Sequence, residues 1–402
     1  MISAFSKTRL RLAAIVATAI SIPVMAHAAA PCITGPTFNL TAQTAFLNQP
    51  DGSSVYSWGY GRNGTPTGFA PAGITGTCPT MQVPGPTLIV TEGQTVSVIL
   101  ANGLPTPAGN TSILFPGVNV TSTGGVTGLL AQEAAPGGTV TYTFTAPSPG
   151  TRAYYSVTQS DLQVEMGLYG ALIVLPKTIP NACSAGLPVT NKGNNHAAQV
   201  AWGEKDFRLS TAAYDNSNTC YDREYLFQFA EMDSNIHNQA LAQVTALGNC
   251  TAGASGCSLE VPTEPYHPSY FMINGRSMPD DMDPNYGVEY PHQPYNGNPH
   301  MHPGEEVLLR IIGQGRWQHP FHEHANHGRI LGRDGNLILS STPSTTGSPA
   351  DTLLAGPAHC LDWPASRAKS SWLPARPMTS PSMYRRHQRQ AARPRSRFTT
   401  ES

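Results

Sequence analysis

The sequence predicts an all-β protein built from two tandem Greek-key β-sandwich domains, and three observations carry that expectation. Only 12% of the 402 residues are charged, while 38 glycines and 36 prolines punctuate the chain. That is a composition of short strands and tight turns rather than of helices. Several short runs alternate with period two, most plainly Thr95–Leu100 and Thr139–Thr145, as strands with one buried face do. Turn signals such as Val83-Pro84-Gly85-Pro86 and Pro149-Gly150 fall between these runs.

In chain order, residues 1–28 read as a secretory signal. Lys7, Arg9 and Arg11 precede an apolar run from Leu12 to Met25, and Ala26-His27-Ala28 fits a small-x-small cleavage site. The run is short and Ala-rich, so no membrane span is expected from it or from any later segment. Residues 32–177 form the first domain, with strands expected around Thr37–Leu47, Ser53–Tyr60, Val83–Val90, Glu92–Leu100, Ala135–Thr145 and Gly167–Val174. Residues 178–195, rich in Pro, Asn and Gly, read as a linker. Residues 196–340 form the second domain, with strands at Tyr225–Phe229, Val307–Ile312 and Gly328–Leu339 and a short helix over Asn235–Leu247. From residue 341 to 402 alternation fades and Ser, Pro, Ala and Arg dominate. Disorder is expected there, and so abrupt a change of composition is what a shifted reading frame would produce.

Charge and cysteines narrow the class. The tail holds nine Lys/Arg against three Asp/Glu, and the first 28 residues hold three basic and no acidic residues. The body keeps 12 of 24 basic residues and 22 of 25 acidic ones. An acidic body speaks against nucleic-acid binding. Cys32, Cys78, Cys183, Cys220, Cys250 and Cys257 form an even set, as exported proteins use them. Fifteen connectivities are open to six cysteines; pairing in order, Cys32–Cys78, Cys183–Cys220 and Cys250–Cys257, is expected, with Cys360 left over.

The chemistry concentrates in one stretch, Arg316-Trp317-Gln318-His319-Pro320-Phe321-His322-Glu323-His324-Ala325-Asn326-His327. On an extended strand His322 and His324 share a face, while His319, before Pro320, can turn to a second site. A solvated loop is the bland alternative, but imidazoles at this density point to copper or zinc. His319, His322, His324 and His327 are the candidate ligands. Two weaker candidates, His300-Met301-His302 for a soft metal and Asp280, Asp281 and Asp283 for a hard cation, read better as solvated turns.

His319-Pro320-Phe321-His322-Glu323-His324 resembles the His-Pro-x-His-x-His segment of multicopper oxidases. The flanking Pro303–Ile312 and Phe271–Arg276 stretches and Val83-Pro84-Gly85-Pro86-Thr87 resemble that family too. The resemblance implies cupredoxin-type sandwiches, copper as cofactor and a small reducing substrate. It also implies roles for His319 at a type 1 copper, His322 at a type 2 copper and His324 at a type 3 copper. The same comparison marks departures. The family's Ser-Ile-His-x-His-Gly becomes Ser112-Ile113-Leu114-Phe115-Pro116-Gly117, so Leu114 and Pro116 replace two ligands. Tyr155 and Val157 replace two more. His359-Cys360 lacks the second histidine of a His-Cys-His segment. The expectation is an exported copper-binding protein, an oxidoreductase by lineage, without a complete trinuclear or type 1 set. A partner chain that completes the copper site is one way to fill the gap. The alternative is a non-catalytic cupredoxin-like copper-binding or assembly module. A cupin reading fails because no Glu follows His324 at the required spacing.

Overall fold

The computed structural model describes residues 32–66, 68–70, 79–184, 208–283, 296–301, 305–321, 328–338 and 397–401. The signal segment, Cys78, residues 284–295, His302, His322–His327, Cys360 and most of the tail lie outside them.

Among the described residues, ten strands build the first unit: β1 (Cys32–Thr34), β2 (Thr37–Asn48), β3 (Ser54–Arg62), β4 (Gly68–Ala70), β5 (Thr87–Thr91), β6 (Thr95–Asn102), β7 (Val120–Gly124), β8 (Thr139–Thr145), β9 (Gly150–Tyr155) and β10 (Tyr169–Leu175). They form two five-stranded sheets, ordered β4-β1-β5-β10-β9 and β3-β2-β6-β8-β7. Strands distant in sequence lie side by side, and both sheets mix parallel pairs (β5 with β10, β2 with β6) with antiparallel ones. The alternation read from the sequence sets the packing. Val96, Val98 and Leu100 of β6 and Val140, Tyr142 and Phe144 of β8 point inward against Leu88, Val90, Leu172 and Val174 of the facing sheet. This is the expected sandwich.

β10 departs from simple alternation because both its faces are buried. Leu172 and Val174 join the sandwich core, while Ala171 and Ile173 face a second cluster on the back of the sheet. A strand covered on both faces reads as a continuous apolar run, as Ala171-Leu172-Ile173-Val174 does.

The back of that sheet is covered by the second unit. Here β11 (Arg223–Met232), β12 (Tyr270–Ile273), β13 (Arg276–Ser277), β14 (Glu306–Gly313), β15 (Gly328–Arg333), β16 (Asn336–Leu337) and β17 (Arg397–Glu401) form one sheet, ordered β13-β12-β11-β14-β17-β15-β16. Tyr225 and Phe227 of β11 and Val307, Leu309 and Ile311 of β14 pack on Ala171 and Ile173. Disorder throughout the tail does not hold for its last residues: β17 pairs in parallel with β14 and β15. The aromatic and β-branched run Phe398-Thr399-Thr400 suits a strand, a signal masked by the Arg-rich context.

A short helix α1 (Ser160–Gln163) precedes β10, and helix α2 (Ser234–Leu247) follows β11. Asp233 caps α2, its Oδ1 accepting the Asn235 N–H at 2.9 Å, a contribution of about 1 kcal/mol. Ile236 and Ala240 bury the helix against Tyr56 and Trp58 of β3. Two family-like stretches also meet. The β12–β13 turn places Asn274 and Gly275 at φ 51° and 82°, and a Cβ on Gly275 would overlap the Val83 carbonyl. Val83-Pro84 therefore lies directly on the Asn-Gly turn, where only glycine fits.

Cys183–Cys220 and Cys250–Cys257 are both bonded, as expected from their order. The third expected pair lies outside the described residues at Cys78. Thiol titration of denatured, unreduced mature protein is expected to find about one thiol, from Cys360; three or more would refute the pairing.

Candidate metal site

β14 ends at Gly313, and the chain folds back over β11. Gln314 donates its N–H to the Phe229 carbonyl at 2.7 Å and its amide to the Gly170 carbonyl at 3.0 Å. Glu231 then organises the turn. Its Oε2 accepts the backbone N–H groups of Arg316 at 2.8 Å and Trp317 at 3.3 Å. Its Oε1 meets Nε2 of His319. The Glu231 side chain is fully buried, while that of His319 keeps 25% of its surface exposed. Phe229, two residues before Glu231 and on the same face of β11, stacks on the His319 ring with centroids 5.7 Å apart; Phe271 approaches its edge at 6.4 Å. Trp317 and Phe321 remain exposed beside it.

Of the predicted ligands, His319 is thus placed and held. His322, His324 and His327 lie outside the described residues. His300 is exposed, and its backbone exchanges hydrogen bonds with the Tyr225 hydroxyl. Met301 packs into the core between the units instead of joining it. Asp281 is buried in a 3-10 turn, its carboxyl pushed up by desolvation. Among the described residues no group of three or more His, Cys, Asp or Glu is arranged to hold a metal ion.

Two of the four substituted positions in the first unit meet directly. Leu114 and Tyr155 pair backbone to backbone, Leu114 donating at 2.8 Å and Tyr155 at 3.3 Å. Their neighbours Ile113, Phe115, Tyr154 and Ser156 are buried, whereas Leu114, Pro116, Tyr155 and Val157 are all half-buried. Leu114 and Tyr155 are thus backbone partners whose side chains stay out of the fully buried core. Tyr155 packs on a cluster with Ala230, Met232 and Met272 of the second unit. The four positions carry one phenol and no imidazole, and Tyr155 is the one that packs on the second unit.

Next to it lies a buried polar seam that the sequence did not announce. Glu165 accepts the Asp233 N–H at 2.6 Å and the Tyr266 hydroxyl at 2.9 Å. His237, on α2, places Nδ1 2.6 Å from the Tyr56 carbonyl and Nε2 3.1 Å from the Glu165 carbonyl. Desolvation raises the Glu165 carboxyl to about 7, opposed by those two hydrogen bonds, and lowers His237 to about 4, opposed by its carbonyl partners. Arg316 lies over the Tyr266 ring at 4.7 Å and donates to the carbonyls of Asp161 and Thr263.

The signs of these shifts give a pH prediction. Glu165 keeps its proton in the fold to about 7 against the usual 4.5. Its contribution is full below 4.5 and lost as pH rises through 7. His237 contributes fully above its usual 6.5 and loses that as pH falls through about 4. Glu165→Gln is expected to flatten the alkaline loss, worth at most about 3 kcal/mol. Melting curves of both proteins from pH 5 to 8 check it; parallel pH profiles would refute the assignment.

Comparison with known proteins adds to this geometry. Residues 75–179 match a family model described as multicopper oxidase. The multicopper oxidase VdtB of Byssochlamys spectabilis is 37% identical over 161 residues, 39% of this chain and 22% of its own length. The multicopper oxidase MCE of Talaromyces pinophilus is 37% identical over 99 residues, 24% and 16% of the respective lengths. The chain thus spans about a fifth of the length of these curated relatives. Among solved structures, the blue copper oxidase from Nitrosomonas europaea aligns with 75% of this chain and 68% of its own, at 20% identity and a TM-score of 0.43. No described helix is long and apolar enough to cross a membrane.

Proposed function

We propose, on the premise that this chain belongs to the multicopper oxidase family through its domain at residues 75–179, that it is an exported protein binding copper at His319, His322 and His324. The observation that carries the reading is the held imidazole. His319 is fixed between Phe229, Phe271 and Glu231, and its other nitrogen, Nδ1, makes no hydrogen bond among the described residues. Imidazole nitrogens suit copper, and His322 and His324 follow within five residues. Copper held there would supply one-electron exchange with a small reducing substrate.

The first-domain half of a trinuclear cluster does not fit. Leu114, Pro116 and Val157 have no donor atom, and Tyr155 packs among apolar side chains. That observation favours a second reading, a copper-binding or assembly module without oxidase turnover, and leaves room for a partner chain that brings the missing ligands. Metal analysis with an oxygen-consumption assay tests both. About one copper per chain, without the intense blue absorption of a copper–thiolate bond, is expected. Turnover of a one-electron donor favours the oxidoreductase, and its absence favours the module. Four coppers per chain with oxygen consumption would overturn both.

A further inference from the structure

We propose that Glu231 is the positioning residue of this site, fixing which nitrogen of His319 is available to a metal. The inference rests on the copper reading above. An ionised carboxylate only accepts hydrogen bonds. Oε2 of Glu231 is occupied by the N–H groups of Arg316 and Trp317, so Oε1 faces Nε2 of His319 as an acceptor. In a neutral imidazole that places the single proton on Nε2 and leaves the lone pair on Nδ1. A carboxylate on the far nitrogen of a ligating histidine fixes its tautomer and orientation in this way.

The clamp has three independent parts. Phe229 and Glu231 lie two residues apart on β11 and reach the same ring from one face. Phe271, on the neighbouring strand β12, closes the edge. Gly315 lets the carboxylate in, since a Cβ there would overlap Glu231 Oε2 and Cδ. Glycine at that position permits a close approach rather than an unusual φ.

Two variants and one spectrum test it. In the metal-free full chain, long-range ¹⁵N–¹H NMR of labelled histidine is expected to find His319 with its proton on Nε2. Glu231→Gln keeps size and burial, and its carbonyl oxygen can still accept the two turn N–H groups. Its NH₂ then faces Nε2 as a donor, so the proton should move to Nδ1. Copper affinity, measured by chelator competition with Cu(II), should fall about 10–100-fold. Gly315→Ala leaves the carboxylate chemically intact but displaces it, and should lose the fixed tautomer and a similar share of affinity. A merely structural Glu231 would not invert the tautomer. A wild-type proton on Nδ1, or Glu231→Gln binding copper as tightly as wild type, overturns the proposal. Wild-type protein that binds no copper overturns the copper reading instead, and the metal-free spectrum still decides whether the clamp exists.

Discussion

The double variant His322→Ala/His324→Ala is expected to lose most of the copper that the wild-type chain takes up. Both side chains fall on one face if the stretch after Pro320 runs extended, and His319 is already held at its base by Glu231. Removing two of the four candidate imidazoles should cost more than the roughly 10–100-fold lost with an outer-shell partner, leaving only His319 and His327. His300→Ala is the control, because His300 is exposed and, among the described residues, is anchored through its backbone. Inductively coupled plasma analysis after dialysis against a weak chelator would read the outcome. Equal copper in the double variant and wild type would place the metal elsewhere and sink the assignment. Equal copper in wild type and His300→Ala, with loss only in the double variant, is the pattern expected.

That prediction draws on a part of the site legible in the sequence, because a ligand motif is local. The four first-unit positions were legible for the same reason. Ser112–Gly117 and Gly150–Val157 each show what replaced a histidine, and the structure adds that Leu114 and Tyr155 are backbone partners. Strands β6, β8 and β10 and helix α2 were also readable, since apolar spacing reports local geometry directly. Glu231 was not. It sits at the end of an apolar strand 88 residues before His319, and only the parallel register of β11 with β14 brings the two turns together. A carboxylate inside Leu226-Phe227-Gln228-Phe229-Ala230-Glu231-Met232 was the one available hint, because a buried charge needs a partner. Gly315 was hidden likewise, by a contact with Glu231 far away in sequence, and the Glu165–His237 seam by depending on contacts across the two units. β17 was missed because an Arg-rich neighbourhood outweighed three strand-forming residues, Phe398, Thr399 and Thr400.

The second large effect concerns the fold itself. Arg310→Met is expected to destabilise the protein by about 3–5 kcal/mol. Arg310 is fully buried on β14, and its Nε donates to Glu224 Oε1 at 2.5 Å. Its Nη1 donates to Thr151 Oγ1 of β9 at 2.9 Å, crossing from the second unit to the first. The other oxygen of Glu224 accepts the Leu209 N–H and the Tyr221 hydroxyl. Methionine fills most of the volume but leaves the Glu224 carboxylate without its buried countercharge, and that desolvation penalty dominates the loss. The double variant Arg310→Met/Glu224→Gln removes the stranded charge while Gln keeps an acceptor for Leu209 and Tyr221. It should therefore recover part of the stability, giving a coupling of roughly 1–3 kcal/mol in the mutant cycle. Urea unfolding of wild type, both single variants and the double variant supplies the four corners. An Arg310→Met protein within about 1 kcal/mol of wild type would mean that the pair contributes no more than an exposed one, and that the two sheets are held by apolar packing alone.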